Sequence, residues 1–371
     1  MTAQTTDHVL AERTAHGIGL ITLNRPQALN ALSLSMIRAL TATLRAWQHD
    51  ATLKAVAIRG MGKSADGPQP FGAFCAGGDI RFFHQAALAG DAALGDFFTE
   101  EYALNHLIFH YGKPYVAFMD GIVMGGGMGL SQGASLRVVT ERSKMAMPET
   151  RIGLFPDVGG GHFLGRTPGH LGEYLALTGH VLKGDEAVAA TLADGCVASS
   201  ELPAIWRHLA DTDWADGGAA QRWVASRLAP PAADRLPHQG EIDHFFGQPS
   251  VAAMVSALEA SESAWARAAA AELRTRSPLM LHVTLEQIRR ARGMTLADEL
   301  RMERDLVHHC FHLREAGASE TVEGIRALAV DKDHAPRWQP ERIEDIRADM
   351  VAPFFVSPWA PAQHPLAGLG A

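Results

Sequence analysis

The feature that most constrains this chain is a change of hydrophobic period along its length. Over roughly the first 170 residues, short apolar runs alternate with helical segments. Gly19 to Leu23 (GLITL) reads as a strand ending at Asn24-Arg25-Pro26, because proline disfavours further pairing. Ser33 reads as the N-cap of an amphipathic helix carrying Met36, Ile37, Leu40, Leu44 and Trp47 at helical spacing. Lys54 to Arg59 (KAVAIR) and PYVAFMDG, from Pro114, read as buried strands, with a loop expected over Gly60 to Gly72. A helical pattern follows Asp79 to about Tyr111, a small-residue helix starts at Gly125 to Gly129, and Leu136 to Thr140 is strand-like. From about Leu171 the strand-like runs stop. Glu272 to Arg292 and Leu296 to Leu313 have apolar residues three and four apart, and the stretch 229–247 reads as a loop or linker. Strand, helix, strand followed by helices alone implies an α/β fold with a helical C-terminal region. The expected division is residues 1–190 for the α/β core and 191–371 for the helical part.

Composition narrows the function classes. The 371-residue chain is 47% hydrophobic and 20% charged, which is ordinary for a globular enzyme. A net charge of −8 disfavours a general nucleic-acid or anionic-membrane binder, although a local basic pocket on an acidic protein is compatible with a phosphorylated ligand. No apolar run approaches the ~20 residues that span a bilayer. The opening MTAQTTDHVLAERTAHG lacks the pattern of a secretory signal and carries Asp7 and Glu12, so the cytoplasm is the expected compartment. Cys75, Cys196 and Cys310 are too few and too scattered for a disulfide framework or a zinc site. No metal is expected.

Three segments carry chemistry. In Phe74-Cys75-Ala76-Gly77-Gly78-Asp79-Ile80, a small-residue turn feeds a helix N-terminus, where backbone N–H groups lack partners and the helix dipole favours negative charge. The competing reading is a tight turn with Asp79 as a cap. In Gly125-Gly126-Gly127-Met128-Gly129, four glycines in five positions allow close backbone approach to a ligand, or close packing of a helix on a sheet. Together the two segments could each donate one N–H to a shared oxygen, as in an oxyanion hole, where each donor supplies about 3 kcal/mol to the transition state. The third segment, Met147 to Gly161 (MPETRIGLFPDVGGG), places Glu149 and Asp157 among apolar residues whose burial would raise a carboxyl into the general acid/base range. Against that stands an exposed turn for Glu149 and a helix cap for Asp157. Cys75 is read as a small buried side chain, His308, His309 and His312 as a partly exposed helix face, and QIRRARG (Gln287 to Gly293) as a charged helix face.

These segments, in this order and with ITLNRPQALNALS before them, resemble the crotonase (enoyl-CoA hydratase/isomerase) superfamily, over approximately residues 8 to 190. MPETRIGLFPDVGGGHFL, FFTEEYALNHLI, TLADELRMERDL and TVEGIRALAVDKDHAPRW extend the likeness over almost the whole chain, towards the 3-hydroxyisobutyryl-CoA hydrolase branch. The resemblance implies a crotonase-like spiral of ββα units and hydrolysis of a short-chain 3-hydroxyacyl-CoA thioester, 3-hydroxyisobutyryl-CoA in valine catabolism. It gives Gly78 and Gly126 the oxyanion N–H groups and makes Glu149 and Asp157 the catalytic acids. It puts Glu101 against substrate, with a solvated helix face as the alternative, and lays the backbone of Ala76, Gly77 and Asp79 against the adenine end of CoA. No separate cofactor is implied, since CoA is part of the substrate. Self-association is an option, because crotonase folds commonly oligomerise through helical tails. Hydratases of the family usually carry a second glutamate where this chain has Gly129. That loss favours hydrolysis over hydration, with an isomerase or hydratase and a non-catalytic CoA-binding subunit as the rival readings.

Overall fold

The computed structural model describes residues 8–64, 67–231 and 233–370. Asp7, one of the two early acids, lies outside them. The chain forms two compact units, each gathered from three separated stretches.

The first unit comprises Met1–Gly78, Leu104–Met145 and Leu182–Asp234. Its sheet runs β1 (Val9–Arg13), β2 (Ile18–Leu23), β3 (Ala55–Ser64), then β5 (Tyr115–Met119), β7 (Leu136–Val139) and β10 (Gly195–Cys196), with β4 (Gly67–Gly72) paired to β3. β1 is antiparallel to β2, whereas β2, β3, β5, β7 and β10 pair in parallel, with Ile18 opposite Ala55 and Val116 opposite Leu136. β2 and β5 are buried at every position, as parallel strands covered on both faces should be. One face packs Ile18, Leu20, Ala57, Val116, Phe118 and Val138 against Leu202, Ile205, Trp206 and Leu209 of the helix Leu202–Asp211 and Val224 of the helix Gly217–Ala225. The helix Leu34–Gln48 buries Met36, Ile37, Leu40, Leu44 and Trp47, the five positions expected from its spacing, and the Ser33 hydroxyl accepts the Met36 N–H. β6 (Ile122–Met124), β8 (Lys144–Ala146) and β9 (Leu182–Lys183) form a second, three-stranded sheet.

The second unit comprises Asp79–Ala103, Ala146–Val181 and Arg235–Ala371 and is mainly helical. Its longest helices within one stretch are Pro278–Ala291 and Leu296–His312. An aromatic cluster of Phe82, Phe83, Phe97, Phe98, Tyr102 and Phe311 joins ring centroids 4.8 to 6.1 Å apart.

Several segments differ from the sequence expectation. Gly60 to Gly72 is a β-hairpin rather than a loop: β3 runs on to Ser64 and β4 returns antiparallel to it, with Ala65 and Asp66 outside the described residues. The single boundary placed near residue 190 is replaced by interleaved stretches. Leu182–Asp234 groups with the sheet because β10 extends it beside β7 and the two following helices cover its face. The stretch 229–247 contains the helix Gln239–Phe246, whose Ile242, Phe245 and Phe246 are buried.

Candidate active site

In the first unit the two glycine-bearing loops lie side by side. Cys75 donates its N–H to the Ile122 carbonyl (2.9 Å), and Met124 donates to the Cys75 carbonyl (3.0 Å). On the other side Ala76 donates to Leu29 (3.0 Å), and the Gly77 carbonyl accepts from Leu32 (2.8 Å). A Cβ at Gly127 would collide with the Cys75 carbonyl oxygen, so close approach is what this glycine provides. Gly126 opens the helix Gly126–Gln132, where the first N–H groups have no acceptor within the helix. A Cβ on Gly77 would stand 3.7 Å from the Gly126 nitrogen, which places Ala76 to Gly78 next to Gly126. The Cys75 thiol points at the Gly77 carbonyl (3.8 Å) and is buried, in line with a small packed side chain.

In the second unit three carboxyls meet: Glu101, Glu149 and Asp157, all nearly inaccessible at 2%, 7% and 6% exposure. Those values remove the solvated alternatives for Glu101 and Glu149. Glu101 lies on the helix Ala93–Phe109 beside Tyr102, whose ring joins the aromatic cluster and whose hydroxyl donates to Asp157 Oδ2 (2.9 Å). Glu149 starts a 3₁₀ turn, Glu149–Ile152, held from several sides. Thr150 Oγ1 donates to Leu177, the Ser277 N–H donates to the Thr150 carbonyl, and Thr321 Oγ1 donates to the Gly153 carbonyl. Asp157 does not cap the next helix, Gly160–Leu164; Gly159 holds that position.

Burial sets the electrostatics. Desolvation penalises the charged form and raises a carboxyl, and a neighbouring carboxylate raises it further. Glu101 is held well above the ordinary range by burial, then by Asp157 and Glu149. Glu149 is held well above it by burial and then Asp157. Asp157 is pushed up to about 7 by burial, opposed by the Tyr102 hydrogen bond. One Glu101 oxygen and one Glu149 oxygen have no hydrogen-bond partner, so both retain the capacity to bind a proton, water or a polar group of a ligand. The cluster can therefore hold and move protons near neutral pH.

Sequence reasoning missed four members of this neighbourhood: Tyr102, Gln287, Glu299 and Glu303. All four are completely buried. A signal existed, since Glu299 and Glu303 share a helix stripe with Leu296, Leu300, Leu306 and Val307, where solvation is unavailable. The QIRRARG segment is accordingly divided, with Gln287 interior and Arg289, Arg290 and Arg292 reaching partners at the surface. Asp79 caps the helix Ile80–Ala89 by accepting from the Phe82 N–H. His308 stacks on His312 at 4.2 Å, and His309 Nε2 lies 2.7 Å from the Val356 carbonyl. Among the described residues no three His, Cys, Asp or Glu side chains are grouped to hold a metal ion.

The sequence profile of the enoyl-CoA hydratase/isomerase family matches residues 18–355. The mitochondrial 3-hydroxyisobutyryl-CoA hydrolase of Xenopus tropicalis is 40% identical over 348 residues, which cover 91% of this chain and 86% of the relative. That of Danio rerio is 39% identical over 363 residues, 96% and 91% of the two chains. The crystal structure of a carnitinyl-CoA dehydratase from Mycobacterium thermoresistibile superposes with a TM-score of 0.83 at 36% identity, covering 95% of this chain and 97% of that one.

Proposed function

The chain belongs to the enoyl-CoA hydratase/isomerase family and has its crotonase fold, and on that premise we propose that it hydrolyses a short-chain 3-hydroxyacyl-CoA thioester, 3-hydroxyisobutyryl-CoA, to 3-hydroxyisobutyrate and CoA. The observation that carries this reading is the buried pairing of Glu149 with Asp157. Two relatives matched over nine-tenths of the chain and named for this hydrolysis support it. We assign the thioester carbonyl to the N–H groups of Gly78 and Gly126, since its oxygen gains charge when the carbonyl carbon is attacked. Glu149, once its own proton has left, drives that attack in one of two ways. As a nucleophile it forms an acyl anhydride and expels the CoA thiolate; as a base it removes a proton from the attacking water. Asp157, raised to about 7, holds a proton it can give to the departing sulfur and can take one from water afterwards. Glu101 faces the acyl group, and Ala76, Gly77 and Asp79 are assigned to the CoA end. Neither route requires a metal or a cofactor beyond the CoA of the substrate, so activity is expected to survive exhaustive treatment with a chelator.

Incubating the purified protein with 3-hydroxyisobutyryl-CoA and a thiol reagent tests the reading. Stoichiometric thiol release is expected. No release, together with a change in enoyl absorbance on an enoyl-CoA substrate, would make the protein a hydratase or isomerase. That rival has a named structural neighbour, a dehydratase, but Gly129 leaves it without the second acid that hydration uses. A panel of acyl-CoA thioesters fixes the acyl preference. We also assign the activity to valine catabolism and to the cytoplasm, and propose a homo-oligomer. The Xenopus and Danio relatives are named as mitochondrial, so fractionation of the source cells decides the compartment, and light scattering decides the oligomer.

A further inference from the structure

The reaction as assigned leaves two buried carboxyls without a task. Glu299 and Glu303 lie one turn apart on the helix Leu296–His312 and are completely buried. Removing one ionised carboxylate from water is costly, and a second beside it adds repulsion, so two charges there are untenable.

Their contacts differ. Glu303 Oε2 accepts the Gly159 N–H (2.8 Å), and its Oε1 accepts the Gly161 N–H (3.4 Å) and Gln287 Nε2 (3.2 Å). Gln287 Nε2 also donates to the Pro156 carbonyl (2.7 Å). Every partner of Glu303 is a donor, as an ionised carboxylate requires, and through Gln287 they grip the chain on both sides of Asp157. The gripped turn is strained: Val158 (φ 58°) and Gly159 (φ 86°) are consecutive left-handed residues, and a β-branched residue holds that conformation only where its surroundings over-determine it. Glu299 is the reverse case: Gln287 and the Gly161 N–H lie near its carboxyl, but neither reaches one of its oxygens at hydrogen-bonding geometry, as both do for Glu303. Its carboxyl faces Glu303, Gln287 and Gly161, so one proton between the two carboxyls can be donated from either to the other.

We propose that Glu299 and Glu303 form a carboxylic acid–carboxylate pair sharing one proton, which clamps the turn Pro156–Gly161 and thereby positions Asp157. Both are positioning residues. Three donors on Glu303, against none in hydrogen-bonding geometry on Glu299, put the negative charge on Glu303 as the acceptor for the turn and the proton on Glu299. Of the charged and titratable groups around the pair, Tyr102 and Asp157 face it from the other elements, and Arg304 follows it on its own helix. Arg304 is engaged elsewhere, donating to Thr99 Oγ1 (2.9 Å) with its guanidinium 4.8 Å from the Trp359 ring. The effect on turnover rests on the role proposed above for Asp157; the shared proton and the clamp do not.

Wild type, Glu299→Gln and Glu303→Gln are compared in three measurements at neutral pH. Infrared spectra in H2O and D2O are expected to show protonated-carboxyl bands, with one component lost in Glu299→Gln and kept in Glu303→Gln. A full set of bands in Glu299→Gln would overturn the shared proton. Hydrogen exchange across residues 157–161 is expected to rise about tenfold in Glu303→Gln and much less in Glu299→Gln. Equal exchange in all three proteins would overturn the clamp. For thioester hydrolysis, kcat in Glu303→Gln is expected to fall at least about tenfold further than in Glu299→Gln, with KM little moved. A wild-type kcat in a folded Glu303→Gln would overturn the positioning of Asp157. If the wild type itself releases no CoA, the hydrolase assignment fails while the infrared and exchange results still decide the pair. Should Glu303→Gln not fold, Gln287→Met, which loses the hydrogen bonds to Pro156 and Glu303, carries the exchange and kcat comparisons.

Discussion

The burial of Glu149 and Asp157 was legible in the sequence, because both sit in a segment crowded with Pro, Gly and apolar residues, while their roles were implied by the family resemblance alone. Tyr102 was not legible as a site residue, because an aromatic on an amphipathic helix reads as core, and here it is core with its hydroxyl turned on Asp157. Two outcomes follow at this scale. Glu149→Gln removes the nucleophile or base without changing shape, and kcat for thiol release is expected to fall by roughly 10²- to 10⁴-fold. Wild-type turnover in that variant would mean the chemistry lies elsewhere. Tyr102→Phe removes the hydrogen bond that lowers Asp157 against its burial, so Asp157 should titrate above its present value of about 7. The limb of the kcat/KM profile that follows Asp157 is therefore expected to move to higher pH. A limb that stays in place or moves down would show that Asp157 is not the group being read.

Elements were legible where side-chain period or capping speaks, and opaque where pairing or a short break decides. The helix capped by Ser33 matched its expected buried positions one by one. Helical spacing runs unbroken over Glu272 to Arg292, yet the segment is two helices, because Ser277 caps a new helix with Pro278 in its first turn. β9 and β10, of two residues each, carry no period at all and owe their existence to their partners. The two glycine loops show the same dependence, since the sequence marks them as glycine-rich while only their neighbours show which glycine is obligatory. Gly127→Ala would drive a Cβ into the Cys75 carbonyl oxygen and part the loop carrying Gly78 from the helix that starts at Gly126. Losing one oxyanion donor costs about 3 kcal/mol, so a kcat decrease of roughly 10²-fold or more is expected while circular dichroism shows the fold retained. A Gly127→Ala protein with normal turnover would remove these loops from the chemistry.

For the whole molecule, a net charge of −8 conceals where the acids are. Burial is the first cause raising Glu101, Glu149, Asp157, Glu320 and the Glu299–Glu303 pair, with Asp157 reaching about 7. Each single acid, and the Glu299–Glu303 pair through its one shared proton, binds a proton more tightly folded than unfolded, so its contribution to stability is complete below the unfolded value and is lost as pH rises to the folded one. Acids lowered by surface partners, among them Asp50, Glu241 and Asp333, act in the opposite sense but only below about pH 4.5. His282, His308 and His364 are lowered by burial, His308 to about 4. The unfolded chain then binds their protons better, and stability rises with pH until about 6.5, where unfolded histidine has lost its proton. Between roughly pH 4.5 and 6.5 the two sets oppose each other; above 6.5 only the carboxyls remain. The apparent Tm is therefore expected to fall between pH 6.5 and 8. Each proton held by the folded chain alone contributes about 1.4 kcal/mol per pH unit, which for a chain of this size is roughly 2 °C. Asp157→Asn, which cannot ionise, should be more stable than wild type at pH 8, with the gap closing as pH falls towards 4. Differential scanning calorimetry of both proteins across that range checks it, and a Tm that rises from pH 6.5 to 8 would mean that the buried carboxyls are already ionised in the folded protein.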